Sequence, residues 1–376
     1  MTSLSIKQKA QQYVILTGMA LFIGLLVGAI DMIFGQGLLL IGDFRSQHWP
    51  LILFLALAGL VIVYLYKRFG GKASKGMGLV FDVGHAREEK IPLVLVPLIM
   101  LTTWMSHLFG GSVGREGVAV QIGATLSHRF ARHIKIPDAS RIFLMTGMAA
   151  GFAGLFQTPL AATFFALEVL TVGELQLIAL YPALIASIVA SFTSHALGLE
   201  KFAVPLRETL SWTPETLIKV AFLGLAFGLA GKLFAVSLSW LKKTVAQVLP
   251  NPYTRIALIG AGLSLVLLTL QLTKVGTYSG LGTNLIDVAF HQGSAHSYDW
   301  ILKLLFTVVT ISAGYQGGEV TPLFAIGATL GVFLAPMLGL PVLVVAAIGY
   351  ASVFGSATTT LLAPILIGGE VFGYGN

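Results

Sequence analysis

The sequence contains no cysteine and few charged residues. Of its 376 residues, only 10% are Asp, Glu, Lys or Arg, whereas 56% are hydrophobic. The missing cysteine excludes a disulfide framework, a thiolate metal site and a cysteine nucleophile. Because about one quarter of the residues of a globular domain are charged, this chain has too little polar surface for a soluble fold.

Long apolar runs fill most of the chain, and its mean hydropathy is +0.87. Several runs approach the roughly 20 residues that span the hydrocarbon core of a bilayer, and the shorter ones are typical of re-entrant or broken helices. We therefore expect an all-α integral membrane protein with about ten or more helical segments. The principal runs are residues 14–32, 51–65, 91–108, 177–189, 220–236 and 256–270.

The formal net charge of +7 does not indicate a nucleic-acid partner, because the basic residues lie in short segments between apolar runs. Their distribution follows the positive-inside rule. Lys7 and Lys9 precede the first run, a nearly neutral loop at 43–48 follows it, and six basic residues lie within 67–90. This alternation predicts a cytoplasmic N-terminus and a cytoplasmic 67–90 loop.

Two parts of the chain resemble each other. Residues 114–126 (GREGVAVQIGATL) align without a gap with residues 318–330 (GEVTPLFAIGATL), and the last five letters are identical. Transporters are often built from such repeats, although chance similarity among apolar helices is the alternative explanation. We place the boundary near residue 205, which gives two membrane halves, 1–205 and 206–376. The sequence alone does not distinguish inverted from parallel repeats.

Two acidic residues stand apart from the rest. Of the 16 acidic residues, most lie in loops or at the ends of apolar runs, but Glu116 and Glu319 stand beside glycines at the start of apolar helices. An ionisable group inside a membrane is costly and indicates function. The structural alternatives are a Glu116 carboxylate neutralised by Arg115, and a Glu319 side chain that caps a helix.

Both acids lie in glycine-rich segments that precede a predicted helix, residues 110–118 and 314–322. Glycines leave backbone N–H groups uncovered and allow a sharp turn, and Pro322 suits a first helical turn. Helix N-termini with free N–H groups bind anions. The sequence therefore predicts an anion site where two helix N-termini meet, and residues 76–82 predict a third, partial helix facing the same site.

These segments resemble those of the CLC family of chloride channels and transporters. GREGV at 114–118 resembles the family segment G-R-E-G-x, GMGLV at 76–80 stands where G-S-G-I-P is found, and GEVTP at 318–322 stands where G-x-F-x-P is found. The three occur in family order. The resemblance extends from about residue 14 to the end and includes YSGLGTNLI at 278–286.

The departures from the ordinary family pattern resemble the fluoride/proton antiporter branch, CLC-F. Val118 replaces a proline, Met77 replaces an anion-coordinating serine, and Glu319 and Thr321 are new in the third segment. Where proton-coupled chloride transporters carry a second, intracellular glutamate, this chain has Val169. Glu319 is therefore the better candidate for a second acid.

The resemblance implies a CLC-like fold of two halves in inverted topology, with broken helices meeting at a central anion site. It implies that Glu116 gates the pathway and couples it to protons, while Glu319 and Thr321 shape the central fluoride site. It also implies a homodimer in a cell membrane, in which each subunit exports fluoride in exchange for protons and confers fluoride resistance. The implied anion-binding residues, acting mainly through their backbone, are Met77, Gly78, Leu79, Gly114, Arg115, Gly117, Val118 and Val320.

One family feature has no counterpart in the sequence. The family places a coordinating tyrosine on a final helix, whereas this chain ends with FGYGN at 372–376. Tyr374 does not correspond to that tyrosine, because its surroundings match an earlier helix end. We expect either a truncated chain or a differently built inner gate.

Other interpretations stay open at this point. A chloride-selective antiporter or a passive anion channel is the first alternative; an intramembrane hydrolase using Glu116 and Glu319, or a structural scaffold, is more distant. Thr321 alternatively caps a helix and Met77 alternatively packs as an apolar side chain. The eight histidines lack carboxylate partners, so no metal is expected. No phosphate-binding loop motif is present, and we expect no cofactor.

Overall fold

The chain is folded into helices. The computed structural model describes residues 6–206, 208–273 and 277–374, and within these ranges the regular secondary structure is helical, which confirms the all-α prediction. The α-helices are α1 (Ile6–Gln47), α2 (Leu55–Leu65), α3 (Met77–Gly84), α4 (Leu95–Leu108), α5 (Glu116–Ala131), α6 (Ala139–Phe156), α7 (Pro159–Glu168), α8 (Leu180–Ala196), α9 (Pro214–Val248), α10 (Pro252–Leu272), α11 (Thr283–Asp287), α12 (Asp299–Ala313), α13 (Val320–Leu338), α14 (Val342–Thr358) and α15 (Leu362–Phe372). Short 3₁₀ or π turns occupy Trp49–Phe54, Tyr66–Gly70, Gly71–Lys75, Leu177–Ala179 and Val288–Gln292.

Helix α1 is longer than the sequence predicted. The prediction of a loop at residues 43–48 is wrong for residues 43–47, because α1 continues without interruption to Gln47. Its apolar run is extended by the segment 38–41 (LLLI), and the first proline of the chain is Pro50. Since proline is the residue that most strongly ends a helix, nothing in the 43–47 segment stops the helix.

Seven helical segments within the described residues are long and apolar enough to cross a membrane. Others are too short for this. Helix α3 has eight residues, about 12 Å of helix, so the partial helix predicted at residues 76–82 is present. Such incomplete helices are tolerated at membrane depth only where protein covers their ends or where they line a cavity.

Much of the outer surface is apolar. Large hydrophobic side chains on several helices are more than half exposed, among them Phe192 (73%), Ile218 (72%) and Leu265 (62%). In water such a surface would drive aggregation. In a bilayer it faces lipid tails of similar polarity, as expected for a membrane protein.

The chain divides into two compact units, each made of separate stretches of sequence. Unit 1 consists of Met1–Gln36, Lys72–Val96 and Ala119–Phe202, and unit 2 consists of Gly37–Gly71, Pro97–Val118 and Ala203–Asn376. The assignment of the repeat halves to 1–205 and 206–376 stays a prediction.

Unit 1 is built around a close crossing of α5 and α6. A Cβ atom added to Gly123 would lie 2.0 Å from the carbonyl oxygen of Gly147, and one added to Gly151 would lie 2.0 Å from that of Ala119. Only glycine permits such an approach of two helix backbones. Helices α7 and α8 pack against α6.

Unit 2 contains an equivalent crossing of α13 and α14. A Cβ atom on Gly327 would lie 2.0 Å from the carbonyl oxygen of Gly349, and one on Gly349 would lie 2.2 Å from that of Gly327. Gly123 and Gly327 occupy the same position in the two aligned segments of the sequence repeat. Helix α9 packs on α14, and α12 packs on α13.

Helix α9 starts as its sequence indicates. Thr213 is the N-cap, and its side-chain oxygen accepts a hydrogen bond from the amide of Thr216 at 3.2 Å. Pro214 and Glu215 occupy the first turn, where proline geometry and a negative charge are favourable. Before this cap, the amide of Val204 donates to the carbonyl of Val371, so the polar connection is attached to the end of α15.

Candidate functional site

The two glycine segments singled out in the sequence lie against each other in unit 2. The amide of Gly114 donates to the carbonyl of Gly318 at 2.5 Å, and the amide of Gly318 donates to the carbonyl of Gly114 at 2.7 Å. This pair of hydrogen bonds forms an isolated antiparallel bridge. It brings together the chain segments that lead into α5 and α13.

Glycine is required at the bridge. A Cβ atom on Gly318 would lie 2.8 Å from the amide nitrogen of Gly117, and one on Gly114 would lie 2.8 Å from Cδ of Pro322. Both distances are shorter than a carbon atom tolerates without displacement of the backbone. The glycine pattern of the sequence therefore follows from the close approach of the two segments.

Glu116 is the first residue of α5 and is fully buried. Its Oε2 atom accepts hydrogen bonds from the hydroxyl of Thr321 at 2.5 Å and from the amide of Thr321 at 3.1 Å. A third, longer contact comes from the amide of Arg115 at 3.4 Å. The carboxylate is thus held by donors at the start of α13, as expected for a negative group beside a helix N-terminus.

The other carboxylate oxygen is less well held. Oε1 of Glu116 lies 3.5 Å from Nε of Arg115 and has no hydrogen-bond partner among the described residues. A pair at this distance is weaker than a bidentate arginine–carboxylate contact. The ion pair agrees with the alternative that Arg115 neutralises Glu116, while Thr321 makes the short contacts to the carboxylate.

The backbone amides at the two helix starts differ. The amide of Val118 donates to the carbonyl of Arg115 at 3.0 Å, so it is already used within the first turn of α5. The amide of Val320 has no hydrogen-bond partner among the described residues, as is usual for the first residue of a helix. Of these two predicted donors, only Val320 is available to an anion in this conformation.

Glu319 and Thr321 flank Val320 at the start of α13. Glu319 occupies the N-cap position, yet its side chain makes no capping hydrogen bond, so the capping alternative is wrong for this residue. Its side chain is half-buried and lies close enough to Lys242 of α9 for electrostatic interaction. Thr321 is 4% exposed, and its hydroxyl is directed to Glu116.

The remaining predicted anion-binding residues lie in unit 1, at the start of α3. Gly76 is the N-cap of this helix, with φ +54°, a conformation that favours glycine. Met77 is half-buried, Gly78 is exposed and Leu79 is fully buried. Their role in an anion site stays a prediction.

Lys303 of α12 was not identified from the sequence, and it is fully buried. Its ammonium group donates to the carbonyl of Gly280 at 2.7 Å, to Oγ of Ser112 at 2.9 Å and to the carbonyl of Tyr278 at 3.3 Å. Ser112 belongs to the segment that leads to Glu116. Lys303 therefore joins this segment to residues 278–280, which lie in the YSGLGTNLI stretch of the family resemblance.

Neighbouring polar side chains strengthen the same region. Nη1 of Arg45 donates to Oγ of Ser279 at 2.6 Å, and the hydroxyl of Tyr278 donates to Oδ1 of Asp299 at 2.6 Å. A buried polar network stabilises a fold only when each polar group in it has a hydrogen-bond partner. It fixes the loop that receives Lys303.

Tyr350 of α14 was also missed as a candidate for the site. Its ring is 1% exposed and stacks on Phe324 of α13, with 4.1 Å between ring centroids. It lies close enough to Glu116 and Arg115 for electrostatic interaction. The signal in the sequence was a tyrosine in an otherwise apolar helix, since a buried hydroxyl requires a polar partner.

No group of three or more His, Asp or Glu side chains suited to a metal ion occurs among the described residues. The carboxylates, hydroxyls and amides at the bridge are instead arranged around helix N-termini. Such an arrangement favours an anion or a proton-carrying carboxylate.

The chain matches known proteins in sequence. The sequence profile described as voltage gated chloride channel matches residues 58–376. A chloride/fluoride channel protein of Pseudomonas syringae pv. tomato is 37% identical over 357 residues, which cover 93% of this chain and 78% of the relative.

Solved structures are similar over nearly the whole chain. A crystal structure of a CLC-type fluoride/proton antiporter has a TM-score of 0.95 and 50% sequence identity, covering 100% of this chain and 93% of the other. A slow cyanobacterial Cl−/H+ antiporter has a TM-score of 0.80, with 95% and 89% of the two chains covered. Its sequence identity is only 20%, so this second likeness concerns the fold alone.

Proposed function

Because this chain belongs to the voltage gated chloride channel (CLC) family, we propose that it is a secondary active transporter that exports fluoride in exchange for protons. The family profile covers residues 58–376. This match confirms the prediction that the chain is a multi-span membrane protein of the CLC type. Members of this family are transporters and channels and not enzymes. Proton influx drives fluoride out of the cell in this proposal and so confers resistance to fluoride.

The observation that carries the proposal is the position of the Glu116 carboxylate. It accepts hydrogen bonds from the amide and the hydroxyl of Thr321, which are donors that a bound anion needs. When a carboxylate takes up a proton it loses its negative charge, and its hold on these donors weakens. Proton uptake by Glu116 and anion binding beside Thr321 are thereby linked, as exchange of the two ions requires.

Fluoride as the anion is supported by the chemistry of the α13 N-terminus. A small, strongly hydrated anion requires several close hydrogen-bond donors in place of its water. The unpaired amide of Val320 and the hydroxyl and amide of Thr321 supply donors at one place. A solved structure with 50% sequence identity is that of a CLC-type fluoride/proton antiporter, which also favours fluoride.

Glu319 is the second acid of the proposal. It makes no capping hydrogen bond, and an ionisable group at the start of an apolar helix of a membrane protein indicates function. We assign it, with Thr321, to the central fluoride site. Met77, Gly78, Leu79, Gly114, Arg115, Gly117 and Val118 line the rest of the proposed anion pathway. The amides of Gly114 and Val118 are already bonded to carbonyl groups in this conformation, so these two residues would have to release those bonds in order to donate to the anion.

A passive channel is the second candidate, because one relative with 37% identity is described as a chloride/fluoride channel protein. The two candidates differ in proton movement and in the preferred anion. The family resemblance further supports a homodimer with one pathway in each subunit. The basic segments support a cytoplasmic N-terminus in a cell membrane.

The test is paired measurement of fluoride efflux and proton uptake by liposomes that contain the protein. We expect fluoride efflux coupled to proton uptake, with fluoride preferred over chloride. Glu116→Gln removes the proton-carrying group and is expected to abolish proton uptake, whatever fluoride flux is left. Glu208→Gln makes the same chemical change at an exposed residue and should leave the coupling unchanged.

Three results would contradict the proposal. Fluoride flux without proton uptake in the unsubstituted protein would mean a channel. Preference for chloride would mean a different anion, and unchanged proton coupling in Glu116→Gln would remove Glu116 from the mechanism.

A further inference from the structure

A basic cleft lies in unit 1, apart from the residues of the proposed transport mechanism. Its volume is about 650 Å³, and it lies between the loop before α4 and the end of α5. Five basic residues line it: Lys72, Arg87, Lys90, Arg129 and Arg132.

Most of this positive charge is not neutralised. Glu88 and Glu89 are the acidic residues of the lining, which leaves the cleft with a net charge of +3. Glu88 is already bound by Lys72 at 2.6 Å and by Lys75 at 3.3 Å. These ammonium groups hold the pKa of the Glu88 carboxyl below its ordinary value.

The four other basic side chains make no ion pair with a described residue; they are Arg87, Lys90, Arg129 and Arg132.

The walls of the cleft are fixed to each other. His128 of α5 is 2% exposed, and its Nε2 atom lies 3.0 Å from the carbonyl oxygen of Glu89. Oγ of Ser140 lies 3.3 Å from Nδ1 of the same ring. The loop that carries Arg87 and Lys90 is thereby connected to the C-terminal part of α5, which carries Arg129 and leads into Arg132.

The cleft suits a phosphate group. Arg129 lies in the last turn of α5 and Arg132 in the turn that directly follows the helix, and both line the cleft together with Arg87 and Lys90. Guanidinium groups bind phosphate oxygens in a bidentate manner. Two walls of positive charge bind such a group from both sides.

An apolar path leaves the cleft. Ile91, Pro92 and Leu93 also line it, Leu93 is 43% exposed, and the apolar helix α4 begins at Leu95. In a phospholipid, the phosphate group can bind the basic side chains while the acyl chains cover the apolar residues 91–93. A free phosphate ion leaves these apolar residues uncovered. We propose that this cleft binds the phosphate headgroup of an anionic phospholipid, with the acyl chains lying over Leu93 beside the start of α4.

The experiment compares lipids and variants in the purified full-length protein. Binding of cardiolipin, of phosphatidylcholine and of inorganic phosphate is measured by native mass spectrometry and by the shift of the thermal unfolding midpoint. We expect cardiolipin to bind and stabilise the protein, and phosphatidylcholine and inorganic phosphate to do neither. Arg129→Gln/Arg132→Gln should weaken cardiolipin binding by roughly 30-fold.

The matched control is Lys9→Gln/Lys243→Gln, which removes two exposed positive charges outside the cleft and should change binding less than about 2-fold. An equal loss in this control would overturn the site in favour of general surface charge. Equal stabilisation by inorganic phosphate would replace the lipid with a soluble phosphate ligand, and absence of cardiolipin binding would refute the proposal. If the arginine variant does not fold, Arg87→Gln/Lys90→Gln on the opposite wall decides the question by the same measurements.

Discussion

At the scale of single residues, the hydroxyl of Thr321 is the contact most open to test. It donates to Glu116 at 2.5 Å beside an amide that any residue would supply. Thr321→Val keeps the shape and the amide but removes the hydroxyl, whereas Thr321→Ser keeps the donor. A hydrogen bond to a charged group is worth about 1.5–3 kcal/mol. We therefore expect Thr321→Val to bind fluoride at least roughly 10-fold more weakly than the unsubstituted protein. We expect the fluoride affinity of Thr321→Ser to be nearly unchanged.

The measurement is fluoride titration by calorimetry, with Thr329→Val as the control. Thr329 is a buried threonine of the same helix, but its hydroxyl donates to the carbonyl of Ala325 within α13. Equal fluoride affinity in Thr321→Val and the unsubstituted protein would show that this hydroxyl holds Glu116 without contributing to the anion site.

The position of Glu116 at the bridge agrees with the sequence prediction, whereas the buried Lys303 was not predicted. Glu116 stands out because a carboxylate in an apolar segment next to glycines has few structural explanations. Lys303 is as fully buried as Glu116, but most lysines of a protein are exposed, so composition gives no sign of a buried one. Its partners are two carbonyl groups and a serine, and such partners leave no mark in the sequence.

At the scale of helices, the glycine crossings make a sharp prediction about stability. Gly327→Ala places a Cβ atom 2.0 Å from the carbonyl oxygen of Gly349, and neither backbone can yield without separating α13 from α14. Overpacking of this kind costs about 1–3 kcal/mol. We expect a lower thermal unfolding midpoint in detergent.

Gly262→Ala is the matched control, since a Cβ atom on Gly262 of α10 meets no atom within 4 Å. There alanine is expected to be neutral or to stabilise the helix by up to about 1 kcal/mol. If Gly327→Ala unfolded at the same temperature as Gly262→Ala, the close crossing would not contribute to stability.

Helix existence was easier to predict than helix length. The start of α9 was predictable because Thr213, Pro214 and Glu215 form a local cap. The end of α1 was not, because the polar segment 43–47 resembles a loop in composition but contains no residue that breaks a helix. Polarity indicates where a chain meets water, and it does not by itself end hydrogen bonding along a helix.

At the scale of the whole molecule, orientation in the membrane is the open prediction. Since the chain has no cysteine, a single introduced cysteine gives an unambiguous labelling site. Lys9 and Ser46 are both exposed and lie near opposite ends of α1. The positive-inside rule places Lys9 in the cytoplasm and Ser46 outside.

We therefore expect a membrane-impermeant maleimide to label Ser46→Cys in intact cells and Lys9→Cys only after the cells are opened. The unsubstituted chain serves as the unlabelled control. Labelling of Lys9→Cys in intact cells would reverse the proposed orientation and with it the side on which the basic cleft lies.

The fold class followed from composition and from the three glycine segments, and the family profile matches residues 58–376. The arrangement of the chain into compact units did not follow from the sequence. Unit 2 takes Gly37–Gly71 and Pro97–Val118 from the first half of the chain, because tertiary packing and not order along the chain decides which helices cover one another. A repeat in sequence thus indicates related helices without indicating which of them pack together.

The bridge between Gly114 and Gly318 has a consequence for how ions exchange places. It holds the starts of α5 and α13 together through two hydrogen bonds, so two helix ends of positive polarity point at one small volume. A negative group beside these helix N-termini is electrostatically favoured over none. In the proposed antiport, one negative group would therefore replace another without an intervening vacancy, and the Glu116 carboxylate, which accepts from Thr321, is the group that the chain itself supplies.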